Sequence, residues 1–459
     1  MACFPSRPRR ALPVAVAVLL AAAALAAWWP AAARPAWPGH PAHPAAAAAW
    51  RVDGGGFGHG IGMSQWGAFG MGQQGRTAAQ IIGFYYGGAR PAPAPTAVPA
   101  TLRVGLLQAR GPGGARSDRL LLRPLARAGV AGSGRVLLAG VDRAGRGFAV
   151  ATRPGGAGRD LVARPLAGGV AVYDGPARLA GPTRAGSALA VRVDGPLPAS
   201  LLALPQLGHG LLLAHGSLQV AAVRDERGVA WLRAVAVMGL DQYLAGLGEV
   251  PGSWPTATLA AQAIAARSYA LAVARRGQHR GAAAWDGCDC GVYGDARDQA
   301  YAGWAKESGA GGARWVAAVR ATARLVVMAG GRLVQAFYSA SSGGYTESTA
   351  AWGDPSPPPW FPSRPDPYDA AGGRNPSHRW SVTFTAAQLS ARLSAVAAVG
   401  TVAALEVTAA DPSGRVTRVR VAGSRGTAVL GGARLAGALG LRSRRFRVVP
   451  LPAPATPHP

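Results

Sequence analysis

The sequence predicts a β-rich α+β protein built from several segments, with one long helix that follows a candidate catalytic loop. Two observations lead to this class. Residues 101–240 contain short apolar runs broken by Gly, Pro and Asp, a pattern typical of strands separated by turns. Residues 256–276 then form a single uninterrupted segment whose apolar residues recur at helical spacing.

Composition excludes several classes of protein. Of 459 residues, 49% are hydrophobic and 15% are charged, so a buried core is possible while charged disorder and a coiled coil are excluded. The formal net charge is +27, and Lys306 is the only lysine. Either an arginine-biased composition or attraction to a polyanion explains this charge. Because no nucleic-acid-binding motif accompanies the scattered arginines, we expect an anionic cell envelope rather than nucleic acid as the partner.

The N-terminus predicts the location. Arg7, Arg9 and Arg10 precede an apolar run over residues 11–27, and small residues follow at 31–33. This is the pattern of an export signal, so we expect residues 1–33 to be removed and the protein to be extracytoplasmic, either secreted or associated with the cell wall. The alternative is an uncleaved anchor, in which case this segment alone would contact the membrane.

Shifts in composition divide the remaining chain. Stretches rich in Pro and Ala predict linkers, and alternating apolar runs predict folded segments. The predicted segments are a linker at 34–50, a Gly-rich module at 51–88, a second linker at 89–100, a β-rich segment at 101–200, a larger domain at 201–450 and a flexible tail at 451–459.

Five runs carry the strand prediction between residues 101 and 240. They are Leu102–Leu107, Val136–Leu138, Leu189–Val193, Ser217–Val223 and Val229–Met238.

The helix over residues 256–276 has start and stop signals. Ser253 is the expected N-cap, and Pro255 suits the first turn. Apolar residues at three- and four-residue steps predict one buried face. Two arginines in the last turn and Gly277 suit the C-terminal end.

The C-terminal third predicts mixed structure. Residues 313–345 indicate a short helix followed by strands, and residues 351–378 a Pro-rich loop. Residues 380–449 indicate a strand, a helix and further strands, with a turn at 411–414.

Glu249 is the candidate acid among only five glutamates. Glycines and apolar residues flank it and Trp254 follows, so we expect desolvation to raise its pKa, as a general acid requires. The start of the predicted helix would favour the ionised form instead. A glutamate that only caps this helix is the alternative interpretation. The other four glutamates are interpreted as solvated side chains, namely Glu226, Glu307, Glu347 and Glu406.

Two further segments are rich in glycine and hydroxyl groups. Residues 54–68 read GGGFGHGIGMSQWGA and match neither a P-loop nor a dinucleotide loop. They are either a tight turn or a sugar-binding surface, with His59, Ser64 and Gln65 as hydrogen-bonding contacts and Trp66 as a stacking face. Residues 337–346 read FYSASSGGYT and lack the G-x-S-x-G pattern of a serine nucleophile. Here the alternatives are plain turn chemistry and substrate contacts through three polar side chains: Ser341, Ser342 and Tyr345.

Cys288 and Cys290 are the cysteines of the exported part. They are free thiols, a small disulfide, or two ligands of a soft metal with His279 as a third. The predicted site includes no cofactor and no metal.

Three segments together resemble the stage II sporulation protein D / amidase-enhancer family. They are residues 243–271 (YLAGLGEVPGSWPTATLAAQAIAARSYAL), residues 337–346 and residues 58–68 (GHGIGMSQWGA). The resemblance identifies residues 201–450 as the catalytic domain. It implies a lytic transglycosylase that cleaves the MurNAc–GlcNAc bond of peptidoglycan glycan strands, especially strands without stem peptides.

The resemblance also implies residue roles. Glu249 would be the acid and the base of a reaction that closes a 1,6-anhydro ring, so no second carboxylate is needed. Gln262 and Arg267 would orient the loop or a substrate carbonyl, or else brace the helix. The chain departs from the family by carrying the GHGIGMSQ segment ahead of the rest, so that segment must dock back. The alternative function is a non-catalytic wall-binding protein that enhances a cell-wall amidase, which would then be a partner.

Overall fold

The structure is a computed structural model. It describes residues 49–94, 99–108, 117–126, 134–142, 147–153, 160–184, 187–208, 210–225, 227–277 and 288–452. The predicted export signal, Glu226 and His279 lie outside the described residues. Most of the first linker and most of the tail also lie outside them.

The described residues form eight helices. They are α1 (Gln65–Gln73), α2 (Ala78–Tyr85), α3 (Leu240–Ala245), α4 (Thr256–Arg276), α5 (Trp304–Ser308), α6 (Gly312–Ala321), α7 (Ala386–Leu393) and α8 (Gly432–Leu439).

Strands are more numerous, which confirms the β-rich α+β class. In chain order they are β1 (Ala49–Gly54), β2 (Met63–Ser64), β3 (Arg90–Pro93), β4 (Leu102–Leu107), β5 (Leu120–Ala126), β6 (Arg135–Val141), β7 (Gly147–Arg153), β8 (Leu161–Leu166), β9 (Gly169–Asp174), β10 (Ala177–Ala180), β11 (Ala188–Asp194), β12 (Ser200–Leu204), β13 (Leu211–Leu213), β14 (Ser217–Arg224), β15 (Ala230–Met238), β16 (Val292–Tyr293), β17 (Leu325–Ala329), β18 (Arg332–Leu333), β19 (Tyr338–Ser339), β20 (Trp380–Thr385), β21 (Val402–Ala410), β22 (Val416–Gly423), β23 (Gly426–Gly431) and β24 (Phe446–Leu451).

Two large sheets share the main core. One has the strand order β16-β4-β15-β14-β11-β6-β7 and the other β10-β9-β8-β5-β12-β13. Strands β14 and β11 of the first sheet contact β8, β9 and β12 of the second, and apolar side chains of both sheets belong to one cluster. The strands predicted between residues 101 and 240 are confirmed, because alternating apolar residues face this core.

Helix α4 has the predicted limits. Its C-cap Gly277 adopts a left-handed conformation with φ 64°, as the stop signal requires. Its N-cap is Pro255 rather than Ser253, and no side chain caps this end. The helix is buried on most of its surface, not on one face, because it contacts α1, α2, α6 and β17. It is long and apolar enough to span a membrane, a composition that also suits a core helix such as this one.

The Gly-rich module joins distant parts of the chain. Strand β1 lies between β20 and β24, and β2 pairs in parallel with β19. Gly62 has φ +71°, and a Cβ on it would lie 2.1 Å from the carbonyl oxygen of Phe337. The close approach of β2 and β19 therefore requires glycine at this position.

A second core lies in the C-terminal part. Strands β21, β22 and β23 form a sheet against α7 and α8. The predicted turn is confirmed, since Gly414 N–H donates to Asp411 O at 2.9 Å between β21 and β22. Helix α8 was not expected: the sequence predicted only strands after α7. Its start at two consecutive glycines gives no helix signal.

Candidate active site

The loop that carries Glu249 is held by a second loop. Leu247 forms a bridge with Tyr301, and Gly248 N–H donates to Ala300 O at 2.8 Å. This pairing brings the backbone N–H of Ala300 to Glu249 Oε1 at 2.6 Å. The position of the carboxylate is therefore fixed by backbone contacts.

Two side chains from other segments reach the same carboxyl group. Gln65, the first residue of α1, donates from Nε2 to Glu249 Oε2 at 3.2 Å. The hydroxyl of Tyr338 on β19 also hydrogen-bonds the carboxyl group. The three motifs therefore meet at Glu249, because Gln65 belongs to the motif at residues 58–68 and Tyr338 to the motif at residues 337–346.

Gln299 sets the direction of the Tyr338 hydroxyl. Its Oε1 accepts from Tyr243 at 3.1 Å, and its Nε2 donates to the oxygen of Tyr338 at 2.7 Å. Since that oxygen already accepts this hydrogen bond, the hydroxyl proton is free to point at Glu249. Tyr338 is therefore a donor to the carboxyl group.

Burial raises the pKa of Glu249 above its ordinary value of 4.5. The hydrogen bonds from Ala300, Gln65 and Tyr338 and the charge of Lys306 oppose this rise, and burial prevails. Residue 249 as a whole is half-buried rather than fully enclosed. Glu249 does not cap α4, whose N-cap is Pro255. The interpretation of Glu249 as a mere helix cap is therefore wrong.

Sequence reasoning missed Lys306 as a neighbour of Glu249. Its Nζ donates to the carbonyl oxygen of Val250 and lies 5.2 Å from the ring centre of Trp315. Burial lowers the pKa of Lys306, and Glu249 acts in the opposite direction. The one feature of the sequence that could have drawn attention to Lys306 is that it is the sole lysine among many arginines.

The contacts of His59 in the described part of the chain are with groups other than Glu249. Its Nδ1 accepts from the backbone N–H of Ile61 at 3.0 Å, and its ring packs edge-on against Phe337 and Trp352. Burial, together with the positive charge of Arg415, lowers the pKa of His59 to about 4. The imidazole is therefore neutral at pH 7, and a sugar contact for it stays a prediction.

Three serines of the predicted site are buried on an internal pair of acids. Ser64 Oγ donates to Asp369 at 2.6 Å while capping α1, and Ser341 Oγ donates to the same carboxylate at 2.9 Å. Ser342 Oγ donates to Asp366 at 2.8 Å. These hydrogen bonds are internal to the fold, and all three serines are buried. Substrate binding by these serines therefore stays a prediction.

The acid pair itself comes from the Pro-rich loop. Asp369 is fully buried and also accepts from the Asn375 amide and from His378 Nδ1, the latter at 2.8 Å. Burial and the neighbouring Asp369 raise the pKa of Asp366 to about 6. This cluster fastens the Pro-rich loop to residues 337–346.

The remaining predicted site residues have internal partners. Gln262 Oε1 accepts from Gln65 at 3.5 Å, so it supports the residue that contacts Glu249. Arg267 is 1% exposed and donates to Asp241 and to the carbonyls of residues 319, 322 and 325, which makes it a brace of α4. Tyr345 is half-buried and its carbonyl accepts from Arg415 at 3.1 Å.

Two glutamates expected to be solvated are not. Glu347 is buried, where its carboxylate accepts from Ser413 at 2.5 Å and lies 3.7 Å from Arg415. Glu307 pairs with His215 at 2.9 Å. Glu406 is exposed as expected and pairs with Arg420. The errors arise because their partners lie far away in the sequence.

Cys288 and Cys290 are joined by a disulfide, which decides between the three alternatives. Within the described ranges, no group of three or more His, Cys, Asp or Glu side chains could hold a metal ion.

Residues 230–328 match the family model of the stage II sporulation protein, SpoIID. This segment is a SpoIID domain. The match confirms the family predicted from the three motifs, and it contains Glu249 and Lys306 but neither Gln65 nor Tyr338. The SpoIID family is a cell-wall-related family linked to peptidoglycan degradation. Comparisons with curated proteins and with solved structures gave no match.

Proposed function

We propose that this SpoIID protein is an exported lytic transglycosylase that cleaves the MurNAc–GlcNAc bond of peptidoglycan glycan strands. The observation that carries the proposal is the state of Glu249. A desolvated carboxyl group with a raised pKa, on a residue that is only half-buried, retains a proton closer to neutral pH, which a general acid needs. It lies in the loop of the matched domain that resembles the family's catalytic motif.

The proposed reaction uses this carboxyl group twice. Protonated Glu249 gives its proton to the glycosidic oxygen, and the bond from that oxygen to C1 of N-acetylmuramic acid breaks. The C6 hydroxyl of the same sugar then bonds to C1, and its proton returns to Glu249. The product is a 1,6-anhydro end, and the carboxyl group is restored without consumption of water.

The surroundings of Glu249 suit a group that alternates between acid and base. Ala300, Gln65 and Tyr338 donate hydrogen bonds to it, and Lys306 contributes positive charge. These groups stabilise the carboxylate after the first proton transfer, which keeps the second transfer within reach. The groups that act most strongly on it are donors and a cation rather than a second acid, as expected for a mechanism without a second carboxylate.

The test is product analysis on glycan strands stripped of stem peptides, in water enriched in ¹⁸O. We expect anhydromuramyl ends without ¹⁸O, and their loss in Glu249→Gln. Glu406→Gln, which changes an exposed glutamate, is the matched control and should keep full activity.

Two other results would overturn the proposal. Reducing ends that contain ¹⁸O would indicate a hydrolase. Binding of glycan without any product, unchanged by Glu249→Gln, would favour a wall-binding protein that enhances an amidase.

A further inference from the structure

A cleft of about 760 Å³ lies beside the three-stranded sheet of β1, β20 and β24, apart from the groups that contact Glu249. Its lining includes Gly55, Arg379, Trp380, Arg445 and Arg447, and we call it the arginine cleft. Among its lining residues, three are arginines and one, Asp53, is an acid. The cleft is therefore positively charged.

Two guanidinium groups of the arginine cleft converge on one backbone oxygen. Arg379 and Arg445 donate from Nη1 to Gly343 O at 2.8 and 2.6 Å. Their other hydrogen-bond acceptors are the carbonyl oxygens of His378 and Ser413. In the part of the chain that the structure describes, no carboxylate forms an ion pair with either group. Two like charges thus lie together with only neutral acceptors.

The two guanidinium groups repel each other, and a bound anion would reduce this repulsion. Burial and the charge of Arg379 lower the pKa of Arg445, and the buried Asp369 carboxylate opposes this shift without reversing it. A Cβ on Gly55 would lie 3.0 Å from Nη1 of Arg379 and 3.3 Å from Nη1 of Arg445. The absence of a side chain at residue 55 is what allows both groups to occupy this place.

The one acid of the arginine cleft is already engaged. Asp53 accepts from Arg51 at 3.0 Å and from Ser381 at 2.8 Å, and Arg447 lies 3.4 Å from it. The hydrogen bond from Ser381, followed by the charge of Arg51, lowers the pKa of Asp53. Asp53 therefore offsets the charges of its own neighbours rather than those of Arg379 and Arg445.

Trp380 gives the arginine cleft a fixed aromatic surface. Its Nε1 donates to Gly56 O at 2.8 Å, and the ring is half-buried. A Cβ on Gly54 would lie 2.2 Å from the ring, so the indole rests directly on the backbone of β1. An apolar face next to paired guanidinium groups suits a ring-shaped ligand that bears a carboxylate.

We propose that the arginine cleft binds an acidic sugar polymer, with a sugar ring packed on Trp380 and its carboxylate bridging Arg379 and Arg445. Guanidinium groups bind planar carboxylates through two parallel hydrogen bonds, and this geometry favours a carboxylated sugar over a neutral one. The cleft volume lies in the usual range for ligand sites. Gly343 is five residues from Tyr338, so the two Cα atoms are at most about 18 Å apart, and one polymer could reach both sites.

Binding can be measured independently of cleavage. We would titrate the full chain carrying Glu249→Gln with hexagalacturonate by calorimetry, with neutral chitohexaose and an oligothymidylate of equal charge as comparisons. We expect hexagalacturonate to bind at least about tenfold more tightly than either, and its binding to weaken as salt is raised. In this background, failure of the cleavage proposal leaves the binding result unaffected.

Variants of the arginine cleft locate the site. Arg379→Gln combined with Arg445→Gln should weaken hexagalacturonate binding about tenfold or more, because two charge-assisted contacts are lost. Arg418→Gln combined with Arg434→Gln removes the same charge from exposed positions of β22 and α8 and should change it less than about twofold. If the double variant fails to fold, Arg379→Gln alone, at an exposed side chain, tests the same contact.

Equal loss in the two double variants would overturn the proposal, since net charge alone would then account for binding. Equal affinity for oligothymidylate would also overturn it, because the site would then recognise any polyanion.

Discussion

Glu249 and the pair of Asp366 and Asp369 are both desolvated acids, yet their surroundings differ. Asp369 is fully buried, and its two oxygens accept from serine, asparagine, histidine and backbone donors. Glu249 is half-buried and has donors from Ala300, Gln65 and Tyr338 with part of its surface open. The hydroxyl-rich turn and the buried acids Asp366 and Asp369 form a structural clamp, a set of buried hydrogen bonds that holds the Pro-rich loop in place. An acid that is only partly buried, such as Glu249, remains able to react.

The largest expected effect separates the two regions by activity. Glu249→Gln should lower the rate of glycan cleavage by roughly 10²–10⁴-fold, because the amide cannot donate or accept the transferred proton. Its thermal unfolding should remain close to that of the parent protein, since the amide keeps the shape of the side chain. Initial rates measure the loss of activity, and calorimetric scans measure thermal unfolding. A large loss of stability in Glu249→Gln would place this residue with the clamp.

The converse variant should act on stability. Asp369→Ala leaves the buried hydroxyls of Ser64 and Ser341 and the backbone N–H of Ser342 without the carboxylate that accepts from them, and we expect the free energy of unfolding to fall by about 3 kcal/mol or more. Denaturant titration measures this loss. A fall below about 1 kcal/mol would mean that the donors find other partners and that the clamp is weak.

Asp366 should make part of the stability depend on pH. Its pKa is raised to about 6 from 3.8, so the folded state holds the proton more tightly than the unfolded chain. This contribution is fully present below pH 3.8 and is lost as pH rises through 6, a change of about 3 kcal/mol. Asp366→Asn should remove that slope from denaturant titrations between pH 4 and 7. The same slope in both proteins would refute the assignment.

The sequence predicts some parts of this molecule well because their signals are local. The strands before residue 240 and the limits of α4 follow from periodicity and from Gly277. Glu249 could be singled out because its neighbours in the chain are apolar. The N-cap at Pro255 and helix α8 were not predicted. The local sequence suits Ser253 as an N-cap as well as Pro255, and the two glycines at the start of α8 give no helix signal.

Contacts between distant segments could not be predicted in the same way. Tyr338 and Gln299 reach the site only through tertiary pairing, although Tyr338 belongs to a recognised motif. Ser341 was a candidate substrate contact because it lies in a hydroxyl-rich turn that resembles a family motif. Its partner Asp369 could not be predicted, because that residue lies in a loop with no periodic pattern. A serine-rich turn has the same local sequence whether it faces a ligand or a buried acid.

The smallest expected effect concerns the charge near Glu249. Lys306→Met removes a cation that lowers the pKa of Glu249, so this pKa should rise by less than about one unit. The upper limb of the pH–rate profile should move to higher pH by the same amount. Lys306→Arg keeps the charge and should leave the profile nearer to that of the parent. A downward shift in Lys306→Met would contradict the assigned role.

The pKa of Glu249 is the most direct measure of the central claim. The chain has five glutamates, so ¹³C labelling of glutamate gives few carboxyl signals, and Glu249→Gln assigns one by its disappearance. A titration followed by NMR should place the midpoint of Glu249 above 4.5, the ordinary value for this side chain. A midpoint at or below 4.5 would contradict the account, because the group would then be ionised whenever it had to donate a proton.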